Sequence, residues 1–361
     1  TLYFVGDYAA ALVAETEEIA ESALELLEVE YEVLPAVFDA KESMTPGAPV
    51  QKSLWPGNVW NAKEPGKPSF VIDKTKLTGG NLEKGFAEAD AIMEDEFHTQ
   101  VMLHAPLETD TIIVAWGANG LFTAWTKENP DRMVSWLWPI LSKVYGTPIN
   151  KVRGVCSNAG GRFGKHVDLR VLAMAAALAK KTARPVKFQG LREWEYHWAR
   201  PITHTLVKMG AKKDGTLTAV NMKTISNFGM AHRKPGNESK GIGRAPIWTW
   251  KCPNCYYENY GVYTNMSSSG SFRGFGSTQG HHAVSQLCDR LIEKLGVDHI
   301  DFYIKNHAGV RDWWEEQKQT ESGLDECILK ATEAIGWKEK RHKPGERTLP
   351  DGRKDGMGMA I

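Results

Sequence analysis

Two glycine-rich stretches, each running into a helical pattern, constrain this chain more than any other feature. The first is Asn158-Ala159-Gly160-Gly161-Arg162-Phe163-Gly164-Lys165. It lies between a short apolar run, Val152 to Cys156, and an alanine-rich segment from about His166 to Lys181. The second runs from Ser267 to Gly280 and holds Gly270-Ser271-Phe272-Arg273-Gly274-Phe275-Gly276. A helical pattern from about Gln279 to Leu295 follows it, with Gly296 as its stop. Glycines let a backbone approach a ligand closely, and amides at a helix start favour an anion. Arg273 offers a fixed cation, and Phe275 offers a ring face to a planar ligand. Each stretch alone also reads as a tight turn or a flexible loop; two of them in one domain point to a shared ligand. The first is not a phosphate-binding P-loop, because its outer glycines lack the four-residue gap and no Lys-Ser/Thr pair follows.

The rest of the composition narrows the class of protein. With 42% hydrophobic and 24% charged residues, 361 residues can bury real cores in two or three domains. Lys plus Arg and Asp plus Glu both number 44, which leaves no electrostatic footprint for nucleic acid or an anionic membrane. No run reaches ~18 apolar residues, so a membrane span is not expected. Five cysteines, an odd and sparse set, fit a reducing compartment, and no signal peptide is visible; the expected location is cytoplasmic.

Read along the chain, residues 1–13 suggest a strand. Thr16 suits a helix cap with Glu17 and Glu18 behind it, Ile19, Ala23, Leu26 and Leu27 form one stripe, and Tyr31 to Leu34 suggest a second strand. Residues 44–69, with Pro46, Pro49, Pro56, Pro65 and Pro68, read as a surface linker pinned by Trp55 and Trp60. Strands are expected at Ala91–Thr99 and Thr111–Trp116, a helix at Val134–Tyr145, and a hairpin about Asp214-Gly215. The basic stretch from Lys338 to Lys354 reads as solvated surface.

Other candidates are weaker. His98, His104 and Glu108 are metal-ligand types, but their spacing suits neither a helix nor a strand, so they read as strand-end residues. Cys252-Pro253-Asn254-Cys255 is a lone pair, with no second pair to complete a zinc site. His281-His282 reads as surface or capping. No Gly-x-Ser-x-Gly elbow and no paired carboxylates mark an acid–base site.

The order of the pieces says more than any one of them. Val5-Gly6-Asp7, Ala14-Glu15-Thr16-Glu17-Glu18-Ile19-Ala20 and Val29-Glu30-Tyr31-Glu32-Val33-Leu34-Pro35-Ala36-Val37 resemble the second half of the hammerhead domain of molybdenum hydroxylases. These are the xanthine dehydrogenase and aldehyde oxidase family. His104-Ala105-Pro106-Leu107-Glu108, the Gly160–Lys165 loop, Arg184-Pro185-Val186-Lys187, Asp214-Gly215, Tyr263-Thr264-Asn265 and Phe272-Arg273-Gly274-Phe275-Gly276 follow in the family's order.

The resemblance implies an α+β chain in three parts. A partial α/β hammerhead domain with linker occupies 1–60, a first molybdopterin-binding domain 61–340, and the start of a further segment 341–361. It implies a molybdopterin cofactor, water as the oxygen source, and electrons leaving through iron–sulfur clusters and FAD on partner subunits. The substrate would be an N-heterocycle, an aldehyde or an aromatic thioester. Gly160, Gly161, Phe163 and Gly164 match the first cofactor loop, and Phe272, Arg273 and Gly274 match the second. Phe275 matches a ring that sandwiches aromatic substrates, and Arg244 falls near a substrate-contacting Arg. No catalytic residue and no metal ligand is expected in this chain. The family's general-base Glu belongs to a Gly-x-Gly-Glu loop beyond Ile361, which calls for the remaining cofactor domain or a second large-subunit chain.

Four departures stand out. Arg162 and Lys165 replace family glycines, and Arg162 is expected to hinder close approach of the first loop. Met102 stands where a Gln is common. Val167 stands where a purine-binding Glu would sit, and Gly270 where carbon monoxide dehydrogenases have a Cys. A non-catalytic scaffold that has lost the metal site is the alternative.

Overall fold

The computed structural model describes residues 1–52, 54–156, 158–232, 234–309, 322–343 and 345–361. Residues 310–321, inside the expected cofactor domain, lie outside the described residues. The strands in chain order are β1 (Phe70–Asp73), β2 (Ala91–Thr99), β3 (Met102–Leu103), β4 (Thr111–Trp116), β5 (Phe122–Thr126), β6 (Val152–Val155), β7 (Val186–Gln189), β8 (Ala199–Arg200), β9 (Ile202–Ala211), β10 (Leu217–Gly229) and β11 (Cys255–Tyr263). They build a five-stranded sheet ordered β1-β11-β10-β9-β2 and a four-stranded sheet ordered β6-β5-β4-β7, with a short β3-β8 ribbon. Strands and helices mix as an α+β fold should, with parallel pairing at β10–β11 and β5–β6 and antiparallel pairing elsewhere.

The five-stranded sheet buries its larger core on one face. Along β2 the burial alternates without a break, as a half-covered strand requires. The helix Ser277–Leu295 lays Ala283, Val284, Leu287, Cys288, Leu291 and Ile292 on that face and ends at Gly296, φ 70°. Each fully buried Leu or Ile there contributes roughly 1.5–3 kcal/mol. The β9–β10 hairpin turns at Asp214-Gly215, with Gly215 at φ +84° and Thr216 N–H bonded to Asp214 Oδ1 at 3.0 Å.

The four-stranded sheet packs under the helix Leu169–Thr182, whose Ala175, Ala176 and Ala179 let it lie close. That helix starts three residues later than its sequence pattern suggests. Asp168 is extended and its carboxylate accepts the Arg170 N–H, so the cap fixes the start at Leu169.

The amino-terminal expectation needs correction. The helix Glu17–Leu24 forms, capped by Thr16, but residues 1–13 and 31–34 are not strands. A strand needs a neighbour to take its hydrogen bonds, and none of the sheets among the described residues includes these segments. Leu26, Tyr31 and Val33 stand exposed as a result.

The proline-rich stretch runs over the surface, exposed at residues 45–47 and 63–67, but is pinned to the sheet. Val37, Ala40, Val59 and Ala62 bury against Tyr260 and Val262, and Trp60 N–H bonds to Gly261 O at 2.8 Å. Asn58 holds it folded, donating to Pro49 O and Ser43 O and accepting from Gln51 N–H. The carboxy-terminal stretch is exposed over much of its length, as expected, but Met357, Met359 and Ile361 pack on the main core. Among the described residues no helix is long and apolar enough to cross a membrane.

Candidate functional site

The two glycine-rich loops meet. One leaves β6 on the four-stranded sheet; the other follows β11 on the five-stranded sheet. Arg273 N–H donates to Phe163 O at 2.8 Å, and Ser271 Oγ donates to Gly164 O at 3.1 Å. Gly164 is at φ +106°, and a Cβ there would fall 2.6 Å from Ser271 O, so only glycine allows this approach.

His104 locks the junction. Its Nδ1 faces Trp198 O at 3.0 Å and its Nε2 faces Ser271 O at 2.8 Å, while its ring meets Phe272 edge-on at 4.6 Å. Arg200 covers Phe272 with its guanidinium, 4.5 Å from the ring centroid, and donates to Arg273 O. In the sequence His104 reads as a strand-end residue rather than a metal ligand; it follows β3 and faces carbonyls of two backbone segments.

Arg162 and Lys165 turn inward. Arg162 bonds to Glu128 Oε1 at 2.5 Å, and His166 and the Val167 N–H serve the same fully buried carboxylate. Burial pushes the Glu128 carboxyl up. Bonds from His166 and the amides of Asn129 and Val167 outweigh that and leave it below the usual range. Lys165 and Lys127 flank Asp110 at 3.1 and 3.2 Å. Gly160 N–H bonds to Glu108 Oε2 at 2.5 Å, so a third acid pins the loop. Arg162, expected to hinder the loop, and Lys165 therefore anchor it, with their side chains tied up by carboxylates on the four-stranded-sheet side. Nothing short in the sequence links Glu128 to Arg162, which is why this network escaped a reading of spacing.

The seam itself faces outward. Phe163, Gly164, Arg273 and Gly274 are exposed. Among the described residues, the amide N–H groups of Phe163, Gly164 and Gly274 donate to no acceptor in the chain. Three backbone donors on an exposed, glycine-shaped seam suit an oxygen-rich, anionic ligand.

Phe275 and Arg244 sit beside the seam. The Phe275 carbonyl lies so near Gly241 that a Cβ there would be 2.2 Å away, and Arg244 follows one turn along the same helix, Pro235–Thr249. The Phe275 ring lies parallel to His232, 6.3 Å between centroids. His232 Nδ1 accepts the Lys234 N–H, which leaves Nε2 as its N–H, 3.9 Å from Glu238 Oε2. Glu238 accepts from Gln279 at 2.8 Å. Burial moves this pair apart: His232 down to about 3, Glu238 up to about 8. Both are therefore neutral near pH 7.

The departures from the family pattern have physical counterparts. Met102 is exposed on β3, and Val167 is buried in the core of the four-stranded sheet. A Cβ on Gly270 would lie 2.4 Å from the Trp198 ring, so no Cys fits there in this arrangement. A cavity of about 290 Å³ opens next to the junction, walled in part by Lys165, Phe188, Trp194, Trp198 and His232; none of the loop residues expected to hold a ligand lines it.

The chain belongs to the family described as the molybdopterin cofactor-binding domain, whose profile matches residues 63–307. It is 31% identical to a probable xanthine dehydrogenase subunit of Bacillus subtilis over 84% of this chain and 39% of that protein. It is 28% identical to the nicotinate dehydrogenase large molybdopterin subunit of Eubacterium barkeri, over 91% of this chain and 74% of that one. The fold is also that of quinoline 2-oxidoreductase from Pseudomonas putida 86, with a TM-score of 0.80 at 22% identity over 93% of this chain and 42% of that chain. The chain thus spans about two fifths of the length of the first relatives it matches.

Proposed function

We propose that this chain is the molybdopterin-binding part of a molybdenum-dependent oxidoreductase. Such an enzyme would oxidise an N-heterocycle, an aldehyde or an aromatic thioester, take oxygen from water, and pass electrons to iron–sulfur and FAD partners. The observation that carries the reading is the seam of unused amides where the loops join. The relatives, described as xanthine and nicotinate dehydrogenases and an aldehyde oxidoreductase, support the reaction class.

In this reading Gly160, Gly161, Phe163 and Gly164 on one side, and Phe272, Arg273 and Gly274 on the other, hold the cofactor. When bound, the cofactor supplies the two-electron oxidation. This chain's residues do the positioning. The Phe163, Gly164 and Gly274 amides donate to cofactor oxygens, and the Arg273 guanidinium adds positive charge at the exposed edge. Glu128 and Asp110 hold the first loop through Arg162 and Lys165. His104 and Arg200 hold the second. Phe275, whose ring lies parallel to His232, offers a ring to an aromatic substrate, with Arg244 on the helix Pro235–Thr249. Val167, apolar and buried, offers no hydrogen bond to a purine, which favours a substrate of another kind.

The test is molybdenum and pterin content of the purified intact protein, followed by dehydrogenase assays with an artificial electron acceptor across the three substrate classes. Stoichiometric molybdenum with turnover of one class is expected. No molybdenum with all partner chains present would favour the scaffold reading instead.

A further inference from the structure

The face of the five-stranded sheet opposite the helix Ser277–Leu295 carries three groups that neither the loop seam nor its anchors use. Glu96 and His98 stand two residues apart on β2, so they project from one face. The antiparallel register sets His204 of β9 directly across from His98. The two Nδ1 atoms are 2.6 Å apart, with the rings at 80° and their centroids 4.6 Å apart. Glu96 Oε1 is 3.8 Å from His204 Nδ1, and one ligand atom from each of the three residues lies within 4.8 Å of the others.

The platform is firm. β2 and β9 pair without a break from Ala91 opposite Ala211 to Thr99 opposite Thr203, and the Thr99 and Thr203 hydroxyls bond at 2.8 Å next to the histidines. Two imidazole nitrogens facing each other at such a distance share one proton. A cation between them would use both lone pairs and take the proton's place.

We propose that Glu96, His98 and His204 bind a divalent first-row transition ion, with Zn²⁺ as the reference case. Two imidazoles and a carboxylate suit Zn²⁺, Cu²⁺ or Ni²⁺ better than Mg²⁺ or Ca²⁺. Ligand bonds of about 2.0–2.2 Å require the two nitrogens to spread to roughly 3.3 Å, which small rotations of two half-exposed side chains supply. Three protein ligands leave a further position open to water.

One group on this face competes for the site. Lys41, from the short helix Ala40–Ser43 packed on the sheet, bonds to Glu96 Oε1 at 2.6 Å. Its ammonium now neutralises Glu96 and must step aside for the ion. The sequence pairing of His98 with His104 and Glu108 is not what forms: His104 serves backbone carbonyls and Glu108 serves Gly160.

Titration calorimetry of the intact protein with zinc chloride tests the proposal. One saturable equivalent per chain is expected at this site, weakened at least about tenfold in His98→Ala and in His204→Ala. Glu96→Gln weakens it as well. Lys41→Met tightens it, a gain that misfolding cannot produce. Absence of saturable binding, or an unchanged isotherm in both histidine variants, overturns the proposal.

Discussion

The backbone N–H of Arg273 donates to the carbonyl of Phe163 at 2.8 Å, and this bond joins two sheets that the chain builds separately. It places the two glycine-bearing loops side by side and leaves neighbouring amides facing outward. The proposed cofactor site rests on that relationship.

Gly164 is where the junction is least tolerant. With φ +106° and Ser271 O 2.6 Å from any added Cβ, Gly164→Ala forces the loops apart. Strain of about 1–3 kcal/mol is expected, with a loss of molybdenum per chain. Gly66→Ala serves as the control, because Gly66 has φ +77° but nothing within 4 Å. It should cost some stability and leave molybdenum unchanged. Equal molybdenum in both variants would contradict the role of the seam.

Arg162→Gly restores the residue common in the family and separates two views of this position. If the side chain obstructs the loop, the variant gains cofactor. The structure predicts the reverse: it strips a donor from Glu128, whose side chain is wholly buried. Removing one partner of such a pair costs about 3–5 kcal/mol. Thermal unfolding reads the difference.

Much of the frame was legible in the sequence. The strand alternation of β2, the hairpin at Asp214-Gly215, the Gly296 stop and both loops stand as the pattern implies, because each is set by local periodicity or by a turn residue. Residues 1–13 and 31–34 failed because strand formation depends on a neighbour, which local pattern cannot supply. The inward turn of Arg162 and Lys165 failed for a related reason. Their partners, Glu128 and Asp110, lie far off in the chain, and no spacing rule joins them. His104 reads as a strand-end residue, and it does follow β3 directly; that it faces two carbonyls has no sequence signature.

Glu238 and His232 give the protein a pH signature. Glu238, raised from 4.5 to about 8, stays protonated when folded but ionises when unfolded, so stability falls as pH rises from 4.5 to 8. His232, lowered from 6.5 to about 3, stays neutral when folded, so stability falls as pH drops from 6.5 to 3. Between pH 4.5 and 6.5 the two slopes oppose and the profile from these groups is level; it declines on both sides. Glu238→Gln keeps the shape and should remove the alkaline decline, worth about 2 kcal/mol between pH 6.5 and 8. A decline of the same size in the variant would show that another group causes it.

Arg273 and Phe275 should separate by function. The Arg273→Ala variant keeps the backbone bond to Phe163 and is expected to fold normally but to lose molybdopterin occupancy. Phe275→Ala should keep molybdenum and raise KM for an aromatic substrate. Full occupancy in the first, or unchanged KM in the second, would remove the corresponding assignment.

The most direct measurement is a crystal structure of the intact protein with its cofactor in place. The pterin should lie along the seam, accepting from the amides of Phe163, Gly164 and Gly274. Density for it elsewhere, for instance in the cavity walled by Phe188 and Trp194, would contradict the account.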